Sequence, residues 1–194
     1  VYREFVYDGA THYSIMQVEG IEQNAIMIDS VSKRFSMCGA RIGWVVSKNK
    51  EVMKSILKFA QARLSPPTYS QIGAERAFDV PETYFEEVLK EYTQRRNVLI
   101  EELQKVQGVR VSMPKGAFYC IAELPVENAE DFCIWLLDNF SVNNETVMLA
   151  PAEGFYATEG LGRNQVRIAY VLEKEKIVKA IHILADALKK YNNS

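Results

Sequence analysis

Ser30-Val31-Ser32-Lys33, followed eight residues after the lysine by Arg41 and then Gly43, decides how this chain is read. A lysine amine forms a Schiff base with a carbonyl compound when its surroundings keep enough of it unprotonated to react. The Ser30 hydroxyl and the planar Arg41 fork suit a phosphate, the arginine through paired charged donors and the serine through one short neutral bond. Gly39 and Gly43 bracket the arginine, where the backbone must turn tightly or come close to a ligand. Taken singly, each residue reads as part of a solvated surface loop. Taken together, the spacing points to a pocket for a phosphorylated aldehyde.

A second cation stands out downstream. In Asn164-Gln165-Val166-Arg167-Ile168-Ala169-Tyr170, Arg167 interrupts an apolar, strand-like run. A charge there is costly unless an anion or a paired group meets it. A bidentate carboxylate would do so, and an edge-strand arginine reaching solvent or a structural glutamate accounts for it equally well.

Composition narrows the classes. The 194 residues are 48% hydrophobic and 11% aromatic, enough for one large or two small cores. With 23 basic against 25 acidic residues, a net charge of −2 and no basic block, nucleic acid and anionic membrane are poor partners. Cys38, Cys120 and Cys133 are widely spaced and predict reduced, buried thiols rather than a disulfide framework. His12 and His182 are too few for an ordinary histidine metal site, so no metal is expected. No apolar run approaches the roughly 20 residues of a membrane span. Val1 to Tyr13 lacks the pattern of a signal peptide, and a cytoplasmic location follows by default.

Periodicity predicts alternating strands and helices. Ala25–Ile28 and Ile42–Val46 read as buried strands joined by the lysine loop. Asn49 caps a helix to about Leu64 with Val52, Ile56, Phe59 and Ala60 on one face, and Ser65-Pro66-Pro67-Thr68 stops it. A shorter helix follows from near Tyr69 to Phe78. Pro81-Glu82 opens a long amphipathic helix to about Val106, with Phe85, Val88, Leu89, Tyr92, Leu99 and Leu103 as its apolar stripe, and Gly108 ends it. Strands are then expected at Val109–Val111, Ala117–Ala122, Val147–Leu149 and Val166–Val171. Helices are expected near Asn128–Asn139 and over Ile177, Ile181, Leu184 and Leu188. Gly160-x-Gly162 lacks a strand-to-helix phosphate context and reads as a loop.

The run S-V-S-K-R-F-S-M-C-G-A-R-I-G resembles the cofactor-lysine signature of the class I and II aminotransferases, pyridoxal-phosphate enzymes of the aspartate aminotransferase type. Three further stretches agree in order and spacing. Val1-Tyr2 with Phe5 and Tyr7-Asp8-Gly9 is similar to the segment just after the family's pyridinium-binding aspartate. Pro114-Lys115-Gly116-Ala117-Phe118-Tyr119 is similar to a small-domain strand entrance, and the Arg167 strand to the one that grips the substrate carboxylate.

The resemblance implies an α/β fold of the PLP-dependent transferase type I: the C-terminal part of the large domain over residues 1–82 and an α/β small domain over 83–194. It implies that Lys33 carries the Schiff base with pyridoxal 5'-phosphate and that Ser30 and Arg41 hold the phosphate. Tyr2 would bond the cofactor's phenolic oxygen, and Arg167 the substrate α-carboxylate. It further implies amino acid and 2-oxo acid substrates and a homodimer, in which Thr68-Tyr69-Ser70-Gln71 reaches the neighbouring subunit's cofactor. Gly154-Phe155-Tyr156 is similar to a flexible loop near the substrate. The family's phosphate loop, ring-stacking aromatic, asparagine and aspartate have no counterpart here, so the chain is expected to be about half of a larger enzyme. A carbon-sulfur lyase of the same fold and a non-catalytic sensor module are the competing readings.

Overall fold

In the computed structural model, which describes residues 1–193, the chain divides into two compact units, the first Val1–Glu87 and the second beginning at Val88. The division falls inside a long helix.

The first unit is built around the lysine run. Strand β1 (Met27–Ser30) passes straight into the one-turn helix α1 (Val31–Arg34), and β2 (Gly43–Val46) returns antiparallel to β1. The register pairs Met27 with Val46 and Ser30 with Gly43. Beneath α1, Val31, Phe35, Ala74 and Ala77 are buried, with Ile42, Trp44, Val80 and Phe85 packed against them. Ala74 and Ala77 come from α3 (Thr68–Ala77), one turn apart and therefore on one face. Helix α2 (Lys50–Arg63) starts where Asn49 Oδ1 accepts the N–H groups of Glu51 and Val52, two donors that would otherwise lack partners.

Three expectations for this unit change. Cys38, expected to be a buried thiol, is exposed, because it lies on the short turn Cys38–Ala40, none of whose residues is buried. Ile28 is 68% exposed and Ile26 45%, so β1 is not a buried strand. Among the described residues β1 has only β2 beside it, and alternation turns Asp29 inward and its isoleucine neighbours outward. The predicted inner face of α2 is also only partly covered: Val52 and Ile56 are half-buried, while Phe59 is 78% exposed.

Helix α4 (Glu82–Gln104) carries the chain into the second unit, where Leu99, Ile100 and Leu103 are buried. There β3 (Arg110–Val111), β4 (Tyr119–Glu123), β5 (Ala150–Pro151) and β6 (Gln165–Ala169) form an antiparallel sheet in the order β3-β4-β6-β5. Its inner face, Cys120, Ala122, Val166 and Ile168, is buried. It shares a core with Phe132 and Leu136 of α5 (Ala129–Asn139) and with Ile177, Ile181, Leu184 and Leu188 of α6 (Lys174–Asn192). Each fully buried side chain of this size contributes about 1.5–3 kcal/mol. Tyr170 ties β6 to the entrance of β4: its N–H bonds Phe118 O at 2.9 Å and its hydroxyl Ala117 O at 3.0 Å.

The strand expected at Val147–Leu149 lies instead at Ala150–Pro151, at the sheet edge. An edge suits Pro151, which has no N–H to give to a further strand. Val147 and Leu149 help line an open cleft of about 970 Å³ beside α6, without joining the ladder. No helix among the described residues is long and apolar enough to cross a membrane.

Candidate active site

Ser30 ends β1 and caps α1. Its backbone is extended (φ −157°, ψ 152°) and its Oγ accepts the Ser32 N–H at 3.0 Å. The same hydroxyl lies 2.8 Å from both Ser32 Oγ and Ile42 O, and its single proton serves one of them at a time. With Val31 N–H donating to Ile42 O at 3.3 Å, these bonds return residues 41–43 to the start of α1. Gly43 is required by that approach, since a Cβ there would stand 2.8 Å from the main-chain oxygen of Asp29.

Arg41 comes just before this junction in the left-handed region (φ 56°, ψ 43°), uncommon for a residue with a side chain. Its Nη1 donates to Cys38 O at 2.8 Å, and the exposed guanidinium keeps its remaining donors. Lys33, on α1, is half-buried and makes no hydrogen bond or ion pair with the described residues. Tyr2 is half-buried, its ring edge-on to Phe5 at 6.5 Å. The structure thus gathers Ser30, Lys33 and Arg41 at one end of the β1–β2 pair, and Tyr2 belongs to the same unit.

The residue after the lysine has a role the sequence did not suggest. Arg34 Nε lies 2.9 Å from Glu4 Oε1, and its guanidinium sits 5.0, 5.2 and 5.7 Å from the rings of Phe35, Phe85 and Phe78. Although the distance is short, Arg34 Nε has no hydrogen-bond partner among the described residues, so the contact with Glu4 is coulombic. Charge and rings together hold the end of α1.

Arg167 belongs to the second unit. It lies on the central strand β6, opposite Ile121 of β4 and Ala150 of β5, with its neighbours Val166 and Ile168 turned into the core. Its exposed guanidinium has no carboxylate partner among the described residues. It lies 4.8 Å from the Phe155 ring and 5.4 Å from the Tyr119 ring. Tyr119 pairs with Ala169, which places it diagonal to Arg167 on the same face. Alternation in both strands was the available signal for that pairing.

At the end of β4, opposite Arg110 of β3, Glu123 is held below the usual carboxylate range, first by the Arg110 guanidinium and then by Asn164. On the inner face, burial pushes the Cys120 thiol up to about 12, and burial raises that of Cys133 to about 11.

In the first unit a strand turns directly into the lysine-bearing helix with Arg41 returned beside it, and in the second Arg167 lies on an exposed sheet face. The chain belongs to the class I and II aminotransferases, whose family pattern matches residues 1–184. It is 30% identical over 191 residues to an aspartate aminotransferase of Pyrococcus horikoshii, covering 96% of this chain and 46% of that protein. With a (5-formylfuran-3-yl)methyl phosphate transaminase of Methanocaldococcus jannaschii it shares 32% identity over 192 residues, 98% of this chain and 49% of the relative.

Solved structures agree on the α/β fold. An aromatic aminotransferase from Pyrococcus horikoshii superposes with a TM-score of 0.81 at 28% identity, over 99% of this chain and 50% of the other. An alpha-aminoadipate aminotransferase from Thermus thermophilus, solved with N-(5'-phosphopyridoxyl)-L-leucine, gives 0.83 at 26% identity, over 97% and 48%. The chain spans about half the length of the relatives it matches.

Family membership implies pyridoxal phosphate, and the donors present fit it. A half-buried primary amine, unpartnered among the described residues, stands on the same turn as a serine hydroxyl, and a guanidinium with donors to spare is brought back beside that turn.

Proposed function

We propose that this chain carries the lysine and carboxylate-binding parts of an aminotransferase that exchanges an amino group between an L-amino acid and a 2-oxo acid with pyridoxal 5'-phosphate. The observation that supports this best is Lys33, an amine without a partner among the described residues, fixed on α1 between the Ser30 cap and the Arg34 anchor. When bound, pyridoxal phosphate supplies an aldehyde that condenses with amines and a ring that draws electron density from the adjacent carbon. Lys33 Nζ would hold the aldehyde and could carry a proton. Ser30 and Arg41 would hold the phosphate, and Tyr2 would donate to the phenolic oxygen. Arg167 receives the α-carboxylate through its fork.

In this reading residues 1–82 are the C-terminal part of the large domain and 83–194 the small domain. The enzyme works as a homodimer in the cytoplasm, and the exposed Tyr69 reaches the neighbouring subunit's cofactor. The names of the relatives favour transamination over carbon-sulfur cleavage or sensing.

Borohydride reduction of the protein as its gene encodes it, in the presence of pyridoxal phosphate, followed by peptide mass mapping, should place the pyridoxyl group on Lys33. A label on another lysine overturns the assignment. Lys33→Ala should lose turnover by orders of magnitude, because one substitution removes both anchor and proton carrier.

A further inference from the structure

Of the two rings beside Arg167, Tyr119 is fixed on β4, and Phe155 is held there by a loop with its own seat. Ala152, fully buried, donates its N–H to Gln165 O at 2.9 Å, and a 3-10 turn over Glu153–Phe155 follows. Phe155 N–H bonds Ala152 O at 3.0 Å and Tyr156 N–H bonds Glu153 O at 3.1 Å. The Tyr156 hydroxyl then reaches Gln165 Oε1 at 2.7 Å. The chain returns through Gly162 at φ +76°, where a Cβ would stand 2.4 Å from Cε2 of Tyr156. Tyr156 therefore rests in a notch that only glycine leaves open. Phe155, its neighbour, lies against the Arg167 guanidinium although it is 57% exposed.

We propose that Phe155 and Tyr119 are positioning residues for Arg167: they hold its guanidinium between two rings, with Tyr156 on Gly162 as the seat of the loop that brings Phe155 into place. The inference rests on the reading of Arg167 as the carboxylate grip. A long arginine side chain loses rotamer freedom when it closes on a ligand, and rings that restrain it beforehand lessen that loss. Ring faces attract the cation without using its N–H donors, so the fork stays available for a planar carboxylate.

The test compares two ligands of one skeleton: the deaminated carboxylic acid of the best amino donor and its primary amide. Dissociation constants are measured by equilibrium dialysis on the protein as its gene encodes it, loaded with pyridoxal phosphate. Phe155→Ala should weaken the acid by about tenfold and leave the amide unchanged, in keeping with the usual strength of a cation over a ring. Phe155→Tyr should restore the acid. Gly162→Ala should act like Phe155→Ala, because its methyl displaces Tyr156.

If Arg167→Ala weakens the acid while Phe155→Ala does not, the positioning role is wrong and the carboxylate role stands. Equal weakening of acid and amide by Phe155→Ala also overturns it, since Phe155 would then pack against the ligand skeleton. If Arg167→Ala changes neither ligand, the carboxylate reading itself fails. A separate measurement on the protein as its gene encodes it, without added cofactor, reads the restraint directly. The Arg167 Nε–H resonance, identified by its loss in Arg167→Lys, should be shifted upfield by the rings and return toward the exposed-arginine position in Phe155→Leu. No upfield shift in the parent chain overturns the inference.

Discussion

At the residue scale, what the spacing Ser30, Lys33, Arg41, Gly43 gave away was local, and what it hid was tertiary. A lysine three residues after a capping serine is visible in the sequence because one turn of helix separates them. Gly43 shows the same economy. Its partner in the ladder is Ser30, and a side chain there would press on the Asp29 carbonyl at 2.8 Å, a main-chain atom that cannot swing aside. Gly43→Ala must therefore part the two strands, and we expect it to lower stability by about 1–3 kcal/mol, the usual range for overpacking. It should also loosen cofactor retention, because the same junction returns Arg41 to α1. A urea titration and a cofactor-release assay check both, and unchanged midpoints would show that the strands yield freely. By contrast, nothing local announces that Arg34 meets Glu4 thirty residues earlier and three phenylalanine rings. The Tyr119, Arg167 and Phe155 contact likewise depends on the β4–β6 register and a returning loop.

At the scale of elements, helices were legible wherever an apolar stripe met a core, as in α4, α5 and α6. Phe59 on α2 is exposed although it shares a face with Val52 and Ile56, because periodicity tells which residues share a face and not whether anything covers it. The strand expected at Val147–Leu149 failed for a related reason: apolar, β-branched residues there border a cleft, and the ladder takes the next two residues. Alternation in β4 was informative and carries a prediction about thiols. Cys120 on the inner face of β4 and Cys133 on α5 are buried, whereas Cys38 is exposed. Burial disfavours the thiolate, so both pKa values lie above the ordinary 9.0, at about 12 and about 11. The reactive thiolate of these two is thus scarce at pH 8 and grows only as pH climbs toward those values. Iodoacetamide at pH 8 should modify Cys38 alone in the folded chain, and all three after denaturation. Rapid native labelling of Cys120 would contradict its place on the inner face.

At the scale of the whole molecule, the two units differ in how much of their apolar surface they cover for themselves. The second unit closes a core between the inner face of its four strands and α4, α5 and α6. The first covers the lysine turn but leaves Ile28, Leu57, Phe59 and Leu64 at 58–78% exposure, and α2 has no fully buried residue. Its two-stranded sheet also leaves each strand with an unpaired edge among the described residues. An exposed apolar surface next to open strand edges favours association with more chain. The purified 194-residue chain should therefore self-associate with rising concentration, through the first unit. Ile28→Lys combined with Phe59→Lys should reduce the sedimenting mass toward that of the monomer. Met148→Lys, at an 82% exposed position in the second unit, should leave it unchanged. Hydrogen exchange should show the same asymmetry, with amides of β4 and β6 exchanging far more slowly than those of α2, since opening α2 uncovers little additional apolar surface. A monodisperse monomer at high concentration, or equal protection in α2 and β6, would overturn association through the first unit.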